Sequence, residues 1–284
     1  MSDAIVSVTE LSERLGRRGL AVIDCRFDLA VPERGESEYL VAHIPGAVYA
    51  HLERDLSAPK TGTNGRHPLP TVKVASERFG AWGIDADVEV VTYDSGPGAF
   101  ASRLWWMLRY LGHDRVSVLD GGFQAWRDAS LPVRTGREER KSRRFEPHPR
   151  PEMHVELAEL LDARTHRDRL LVDARDPARF RGDQEPIDPV AGHIPGARNH
   201  FWQDNLAEQG HFLPPARLRE RLTSLLDGTP PEKTVVYCGS GVTACHDLLA
   251  LEIAGMPGAR LYAGSWSEWC ADPSRPVETG ESRG

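Results

Sequence analysis

The feature that most constrains the fold is an internal duplication with a period close to 150 residues. Four motifs occur twice in the same order. They are Asp-x-Arg at 24–26 and 173–175, His-Ile-Pro-Gly-Ala at 43–47 and 193–197, a β-branched run ending at 94 and 238, and an aromatic segment at 120–126 and 263–269. A duplication of this kind predicts two copies of one structural unit. The 284 residues are enough for two domains that each bury a core.

Strand-type and helix-type segments alternate within each copy. In the first copy, Ser7 and Glu10 form a capping box ahead of a helix that carries Leu11 and Leu15. The remaining expected elements are strands at about 20–25, 88–93 and 116–119, helices at about 72–82 and 99–111, and a short helix through Trp126. This alternation predicts the α/β class, with a parallel β-sheet flanked by helices in each domain.

We expect domains at 1–133 and 152–284, joined by a linker at 134–151. The linker is polar, basic and closed by prolines, so it is expected to be solvated. No apolar run approaches the roughly 20 residues of a membrane span, and the N-terminus lacks a signal-peptide pattern. The formal net charge of −7 argues against a nucleic-acid partner. Four irregularly spaced cysteines fit free thiols in a reducing compartment, and we expect a cytoplasmic protein without a membrane partner.

The second β-branched run ends at Cys238 and leads through small residues into an apolar helical segment. This order of strand, tight loop and helix places a thiol where loop N–H groups and a helix N-terminus favour negative charge. Such surroundings favour the thiolate, which is the nucleophilic form of cysteine. In the first copy, Asp94 stands in the place of Cys238, and Pro97 in the following loop has no N–H. The sequence therefore predicts one working loop and one silent loop.

The duplicated Asp-x-Arg and His-Ile-Pro-Gly-Ala motifs, with the Cys-Gly-Ser-Gly-Val-Thr loop at 238–243, resemble the tandem rhodanese-type sulfurtransferases. The resemblance covers the whole chain, and the sequence of the loop is typical of the members that use 3-mercaptopyruvate. It implies two rhodanese-like domains, the first of them catalytically silent. It also implies that Cys238 carries a persulfide, held by the N–H groups of the loop residues Gly239, Ser240, Gly241, Val242 and Thr243.

The resemblance also suggests residues for binding an anionic sulfur donor. Arg179 matches the substrate-binding arginine of the family, whereas Arg175 is either a second ligand or a structural ion-pair residue. An arginine pairs well with a carboxylate or sulfonate through two parallel hydrogen bonds. Relatives that use mercaptopyruvate usually have a second arginine shortly before the Gly-His-Ile-Pro-Gly motif, and residues 184–192 contain none.

Mercaptopyruvate-type members pair the loop serine with a histidine and an acid from the first domain. Ser240 fits the serine, and His67 lies in the matching His-x-Leu-Pro motif. Glu53 is the expected acid, with Asp55 as the alternative. A histidine moves protons near neutral pH when an acceptor orients its other ring nitrogen.

The expected activity is transfer of a sulfane sulfur from a small anionic donor, with 3-mercaptopyruvate favoured, through a Cys238 persulfide. The expected acceptors are cyanide, a thiol or a thioredoxin-like protein. We expect a monomer with no cofactor and no metal. A thiosulfate:cyanide sulfurtransferase and a non-enzymatic sulfur-relay or binding module are the alternatives. The phosphatase branch of the fold needs an arginine six residues after the cysteine, and position 244 is alanine.

Overall fold

The computed structural model describes residues 4–162 and 169–281. The chain forms two compact units. Unit 1 contains the described residues up to 58, with 70–150 and 207–212. Unit 2 contains 59–69, the described residues of 151–206, and the chain from 213 onward. The segment 59–69 therefore belongs to unit 2, although it lies within the first copy of the repeat.

Unit 1 is built on a parallel five-stranded sheet with the order β1-β5-β4-β2-β3. The strands are β1 (Ile5–Val6), β2 (Leu20–Asp24), β3 (Ala47–Tyr49), β4 (Glu89–Tyr93) and β5 (Val116–Leu119). Every residue of β2 is buried, as expected for a strand between two neighbours in a sheet covered on both faces. The sequence predicted β2, β4 and β5.

The helices of unit 1 are α1 (Val8–Arg14), α2 (Arg34–Val41), α3 (Leu52–Asp55), α4 (Val72–Ala81), α5 (Ala101–Tyr110) and α6 (Gly122–Asp128). The Ser7 side chain accepts from the Glu10 N–H, and the Glu10 carboxylate accepts from the Ser7 N–H. The predicted capping box is therefore present. The stretch after β2 contains α2, β3 and α3, none of which is among the elements predicted from the sequence. Their short lengths and charged surfaces obscure the periodicity that reveals longer elements.

Unit 2 repeats the plan with the order β7-β6-β8-β9. The strands are β6 (Leu170–Asp173), β7 (Arg198–Asn199), β8 (Thr234–Tyr237) and β9 (Arg260–Leu261). All pairings are parallel, and the order matches β3-β2-β4-β5 of unit 1. An isolated parallel bridge between His154 and Leu261 lies where β1 pairs with β5 in unit 1. The duplicated α/β architecture predicted from the sequence is thus confirmed.

The α-helices described in unit 2 are α7 (Leu157–Leu161), α8 (Pro177–Arg181), α9 (Pro215–Leu226), α10 (Ala244–Ile253) and α11 (Ser265–Trp269). Short 3-10 helices lie at Pro151–Met153, Trp202–Asn205 and Pro231–Lys233. A core cluster of unit 2 is formed by aromatic and aliphatic side chains, including Phe180, Tyr237 and Trp266.

The paired motifs have equivalent structural roles in the two units. Arg175 Nη2 lies 2.7 Å from Asp173 Oδ2, and the Arg26–Asp24 pair has the same distance. His193 stacks on Phe180, and its Nδ1 lies 2.8 Å from the Phe180 carbonyl oxygen. His43 stacks on Tyr39 in the same way. These contacts explain both histidines as packing residues of the fold.

The segment 134–150 differs from the solvated linker expected from its composition. Most of its side chains are exposed, but its backbone makes ordered contacts with the rest of unit 1. The Arg143 N–H donates to the Gly80 carbonyl at 2.9 Å, and the Glu138 N–H donates to the Tyr39 hydroxyl at 2.9 Å. Phe145 is buried beside Phe79. A single aromatic residue therefore anchors a segment whose charge content predicts solvation.

Candidate active site

Cys238 follows β8 directly and is buried, with 2% of its surface exposed. Two hydrogen bonds from α11 hold the start of its loop. The Trp266 N–H donates to the Cys238 carbonyl at 3.0 Å, and the Ser267 N–H donates to the Gly239 carbonyl at 3.0 Å. The loop is thus fixed at one end by a strand and along its side by a helix, which positions the thiol within a rigid frame.

Ser265 also holds the cysteine, and the sequence analysis did not identify it. The Cys238 N–H donates to Ser265 Oγ at 3.1 Å, and this hydroxyl donates to the Tyr262 carbonyl at 2.9 Å. Ser265 has a φ of 57°, in a region that favours glycine. Its counterpart in the repeat, Gly122, has a φ of 55°. A serine in place of glycine at the aligned position of the repeat was the available signal, because strained residues cluster at functional sites.

The backbone of the loop approaches the thiol from one side. The Ser240 N–H lies 3.5 Å from Cys238 Sγ. Gly241 has a φ of 72°, and a Cβ there would lie 2.4 Å from the Ala263 carbonyl oxygen, so this position requires glycine. Val242 is buried, and Thr243 precedes α10. Anion binding by the N–H groups of Gly239, Gly241, Val242 and Thr243 stays a prediction.

The silent loop of unit 1 shows how this backbone treats an anion. Asp94 Oδ1 accepts hydrogen bonds from the N–H groups of Gly96 and Gly98, and Oδ2 accepts from those of Phe100 and Ala101. Burial raises the pKa of Asp94, although the four donors act in the opposite direction. Pro97 supplies no N–H, but the four other N–H groups form a cradle without it. The silent loop has a cradle that its own carboxylate fills.

The segment 59–69 places Arg66 and His67 beside the Cys238 loop within unit 2. The Arg66 N–H donates to Ser267 Oγ at 3.0 Å, which fixes the segment against α11. The structure brings His67 and Ser240 together: His67 Nδ1 lies 2.8 Å from Ser240 Oγ, and both side chains are buried. This pair offers a route for a proton close to Cys238.

Arg175 and Arg179 have different surroundings. The Arg175 side chain is 1% exposed, pairs with Asp173 and lies over the Trp266 ring. Burial opposes its charge, but Asp173 more than compensates and raises the pKa of Arg175. Arg179 is more accessible, with 14% of its side chain exposed. The geometry therefore favours the structural role for Arg175 and leaves Arg179 as the better placed anion ligand.

Glu185 links these arginines and orders the segment before the second His-Ile-Pro-Gly-Ala motif. It accepts from Arg179 Nη2 at 2.7 Å and from Arg175 Nη1 at 3.2 Å. It also accepts from the backbone N–H groups of Ile187 and Asp188 at 3.1 Å. Burial opposes ionisation, but the bonds from Arg179 and the backbone lower the pKa of Glu185.

Arg66 is a second cation at the loop that the sequence analysis missed. A Cβ on Gly239 would lie 2.7 Å from Arg66 Nη2 and 3.7 Å from both terminal nitrogens of Arg179. Both guanidinium groups also contact the carboxylate of Asp188, which is 3% exposed. Two cations therefore meet next to the residue that follows Cys238. The arginine sought in residues 184–192 is absent there, and this one comes from a segment distant in sequence.

The two candidate acids lie in unit 1. Glu53 is in the first turn of α3 and partly buried. Asp55 accepts from the His51 N–H at 2.8 Å, and its other oxygen lies 3.1 Å from Arg78 Nε. Support of His67 by Glu53 or by Asp55 stays a prediction.

Cys245 matches Ser102 of the silent copy. Its Sγ lies 3.4 Å from the Gly241 carbonyl oxygen, and Ser102 Oγ donates to the Gly98 carbonyl at 2.6 Å.

Across residues 4–162 and 169–281, histidine, cysteine and acidic side chains form no cluster of three that could hold a metal ion. None of the helices in these ranges is both long and apolar enough to cross a bilayer.

Comparison with known proteins identifies the family. The rhodanese-like domain model matches residues 7–129 and 154–272. A Pseudomonas aeruginosa protein, provisionally named a 3-mercaptopyruvate sulfurtransferase, is 50% identical over 99% of this chain and 100% of its own length. A Mycobacterium tuberculosis protein, provisionally named a thiosulfate sulfurtransferase, is 40% identical over 92% of this chain and 91% of its own.

A solved structure supports the same assignment. The 3-mercaptopyruvate sulfurtransferase SseA from Escherichia coli superposes with a TM-score of 0.80 and 32% identity. The superposition covers 93% of this chain and 98% of the other. The match to the rhodanese-like domain model spans both repeats and includes the Cys238 loop. The chain therefore belongs to the rhodanese family, and it is a sulfurtransferase with two tandem rhodanese-like domains.

Proposed function

We propose that the enzyme takes sulfur from 3-mercaptopyruvate, holds it as a persulfide on Cys238 and delivers it to a thiol or to cyanide. The principal support is the meeting of three features in unit 2. These are a buried cysteine with an N–H directed at its sulfur, two guanidinium groups beside Gly239, and a histidine–serine pair. A thiolate nucleophile, an anion site and a proton carrier are what this transfer requires.

In the proposed first step, the Cys238 thiolate attacks the sulfur of the donor. A sulfur–sulfur bond forms, the carbon–sulfur bond of the donor breaks, and its electron pair moves to the carbon as the enolate of pyruvate. Ser240 and His67 are placed to supply the proton that converts the enolate to pyruvate. In the second step, an acceptor thiolate or cyanide attacks the outer sulfur and regenerates the Cys238 thiolate.

Arg179 and Arg66 are the proposed ligands of the donor carboxylate. Their guanidinium groups lie beside Gly239, one residue after the nucleophile. A carboxylate held there keeps the donor sulfur near Cys238, which converts an encounter in solution into a reaction within one site. Glu185 orients Arg179 by accepting from its Nε and Nη2.

Thiosulfate is the alternative donor, and the name of the Mycobacterium tuberculosis relative favours it. Purified enzyme should be assayed with cyanide and each donor, and thiocyanate and pyruvate should be measured. We expect a higher kcat/KM with 3-mercaptopyruvate than with thiosulfate. A clear preference for thiosulfate would replace the proposed donor, and no thiocyanate from either donor with reduced Cys238 would reject the mechanism.

A reducing compartment such as the cytoplasm suits this chemistry, because Cys25, Cys238, Cys245 and Cys270 are all free and buried thiols. A thioredoxin-like protein is a suitable physiological acceptor, since its thiolate can attack an outer sulfur. We also propose a monomer that binds neither nucleic acid nor membrane, consistent with the net charge of −7.

A further inference from the structure

The carboxylate of Asp188 lies between the two arginines of the proposed donor site. Asp188 Oδ1 pairs with Arg66 Nη1, and Asp188 Oδ2 lies 3.1 Å from Arg179 Nη2. Each oxygen therefore takes one guanidinium group. This is the arrangement that a carboxylate from another molecule would adopt between the same two cations.

Asp188 and Glu185 differ in how firmly they are held. Glu185 accepts from two arginines and from two backbone N–H groups, so its position is fixed by several independent contacts. The Asp188 side chain is held by its contacts with Arg66 and Arg179. Asp188 also lies outside α8, in a stretch of bends between Pro186 and Pro189. Displacement of its side chain would release both arginines without unfolding a helix or strand.

We propose that Asp188 occupies the donor-carboxylate site of the free enzyme and that the donor displaces it. This inference rests on the proposed function of Arg66 and Arg179. Asp188 is then an internal competitor that determines specificity, because it excludes anions that bind too weakly to displace it. The donor class that fits is a small carboxylate bearing a sulfur, such as a 2-oxo acid.

An internal competitor lowers the apparent affinity for the donor by the fraction of enzyme in which the site is open. Asp188→Asn keeps the size of the side chain and removes its charge. We expect this variant to lower the KM for 3-mercaptopyruvate about 5-fold or more, with little change in kcat. A simple brace for the arginines would give the opposite result, because loss of Asp188 would let them separate and raise KM.

Asp183→Asn is the matched control. Asp183 lies five residues earlier, pairs with Arg181 at 2.8 Å and is largely exposed. The Asp183→Asn substitution removes one negative charge from the same segment, as Asp188→Asn does, but it removes no contact of Arg66 or Arg179. Its KM is expected to equal that of the wild type. An equal fall in KM in both variants would show that loss of any negative charge from this segment lowers KM, and it would overturn the proposal.

A binding measurement separates this proposal from the proposed activity. The affinity of pyruvate, a carboxylate without the reactive sulfur, can be measured by calorimetry on the wild type, Asp188→Asn, Asp183→Asn and a second variant, Asp188→Ala. Tighter binding of pyruvate by both Asp188 variants, but not by Asp183→Asn, supports displacement, even if turnover fails with every donor. Unchanged or weaker binding by folded Asp188 variants contradicts displacement, even if the enzyme transfers sulfur as proposed.

Discussion

At the scale of residues, burial and pairing distinguish the role of Arg175 from that of Arg179. Arg175 is enclosed by Asp173 and Trp266, and Arg26 makes the corresponding contacts in the silent unit. A contact present in both units serves the fold. Arg179 has no cationic counterpart, since Glu38 precedes Tyr39 where Arg179 precedes Phe180. The residue unique to the working copy is the one expected to meet the donor.

Arg179→Ala should raise the KM for an anionic donor by roughly 10-fold or more, because it removes charge-assisted hydrogen bonds worth about 1.5–3 kcal/mol. Steady-state kinetics with 3-mercaptopyruvate measure this effect. Arg181→Ala is the control, since Arg181 lies in the same helix and pairs with exposed Asp183. Equal KM values for the two variants would move the anion-binding role away from Arg179.

Asp247 belongs to a buried polar group in α10, a few residues beyond the active loop. Its Oδ1 accepts from Asn205 Nδ2 at 2.6 Å, and within the described part of the chain its Oδ2 has no hydrogen-bond partner. Burial raises the pKa of Asp247 well above its ordinary value. The neutral acid is therefore the form that the fold accommodates, and ionisation destabilises the native state.

The pH dependence of stability follows from this shift. A raised pKa in the folded state means that the contribution of Asp247 is fully present below about pH 4 and is lost as pH rises. Asp247→Asn cannot ionise, so its Tm relative to the wild type should increase with pH, by a few degrees near neutrality. Thermal unfolding between about pH 4 and 8 tests this. His200 titrates in both proteins, and a Tm difference independent of pH would contradict the assignment.

At the scale of elements, the site depends on how β8, the loop and α11 are joined. The strand and the helix could be predicted from the sequence, because β-branched runs and apolar periodicity are local signals. Ser265 was missed because its role depends on a φ near 57°, which composition does not reveal. Arg66 was missed because its contact with Gly239 joins residues more than 170 positions apart. Such a contact is visible only after the chain has folded.

Gly241→Ala tests the loop as a structural element. The added methyl meets the Ala263 carbonyl, and the positive φ adds about 1–2 kcal/mol of strain. We expect the variant to remain folded but to lose most of its turnover, measured as thiocyanate formation. Gly196→Ala also has a positive φ but meets no atom within 4 Å, so it should be destabilised without loss of kcat. Full activity of Gly241→Ala would show that the observed loop path is dispensable.

At the scale of the whole molecule, the duplication provides an internal comparison. Both units have a parallel sheet and an Asp–Arg pair. In both, the helix after the last strand of the unit, β5 or β9, donates hydrogen bonds to the loop. The repeated motifs predicted this architecture from the sequence. The sequence did not predict that Asp94 would fill its own cradle. The silent unit therefore shows that N–H groups of the loop backbone surround a carboxyl group, and the working unit has a thiol at the equivalent sequence position.

In the proposed mechanism, Cys238 alone carries the transferred sulfur. The most direct test is peptide mapping by mass spectrometry after reaction of the enzyme with one equivalent of 3-mercaptopyruvate and no acceptor. We expect the mass of one added sulfur atom on the Cys238 peptide, lost again when cyanide is added. Cys245→Ser should retain this label, and Cys238→Ser should lose it together with turnover. A label on another cysteine, or turnover by Cys238→Ser, would contradict the account.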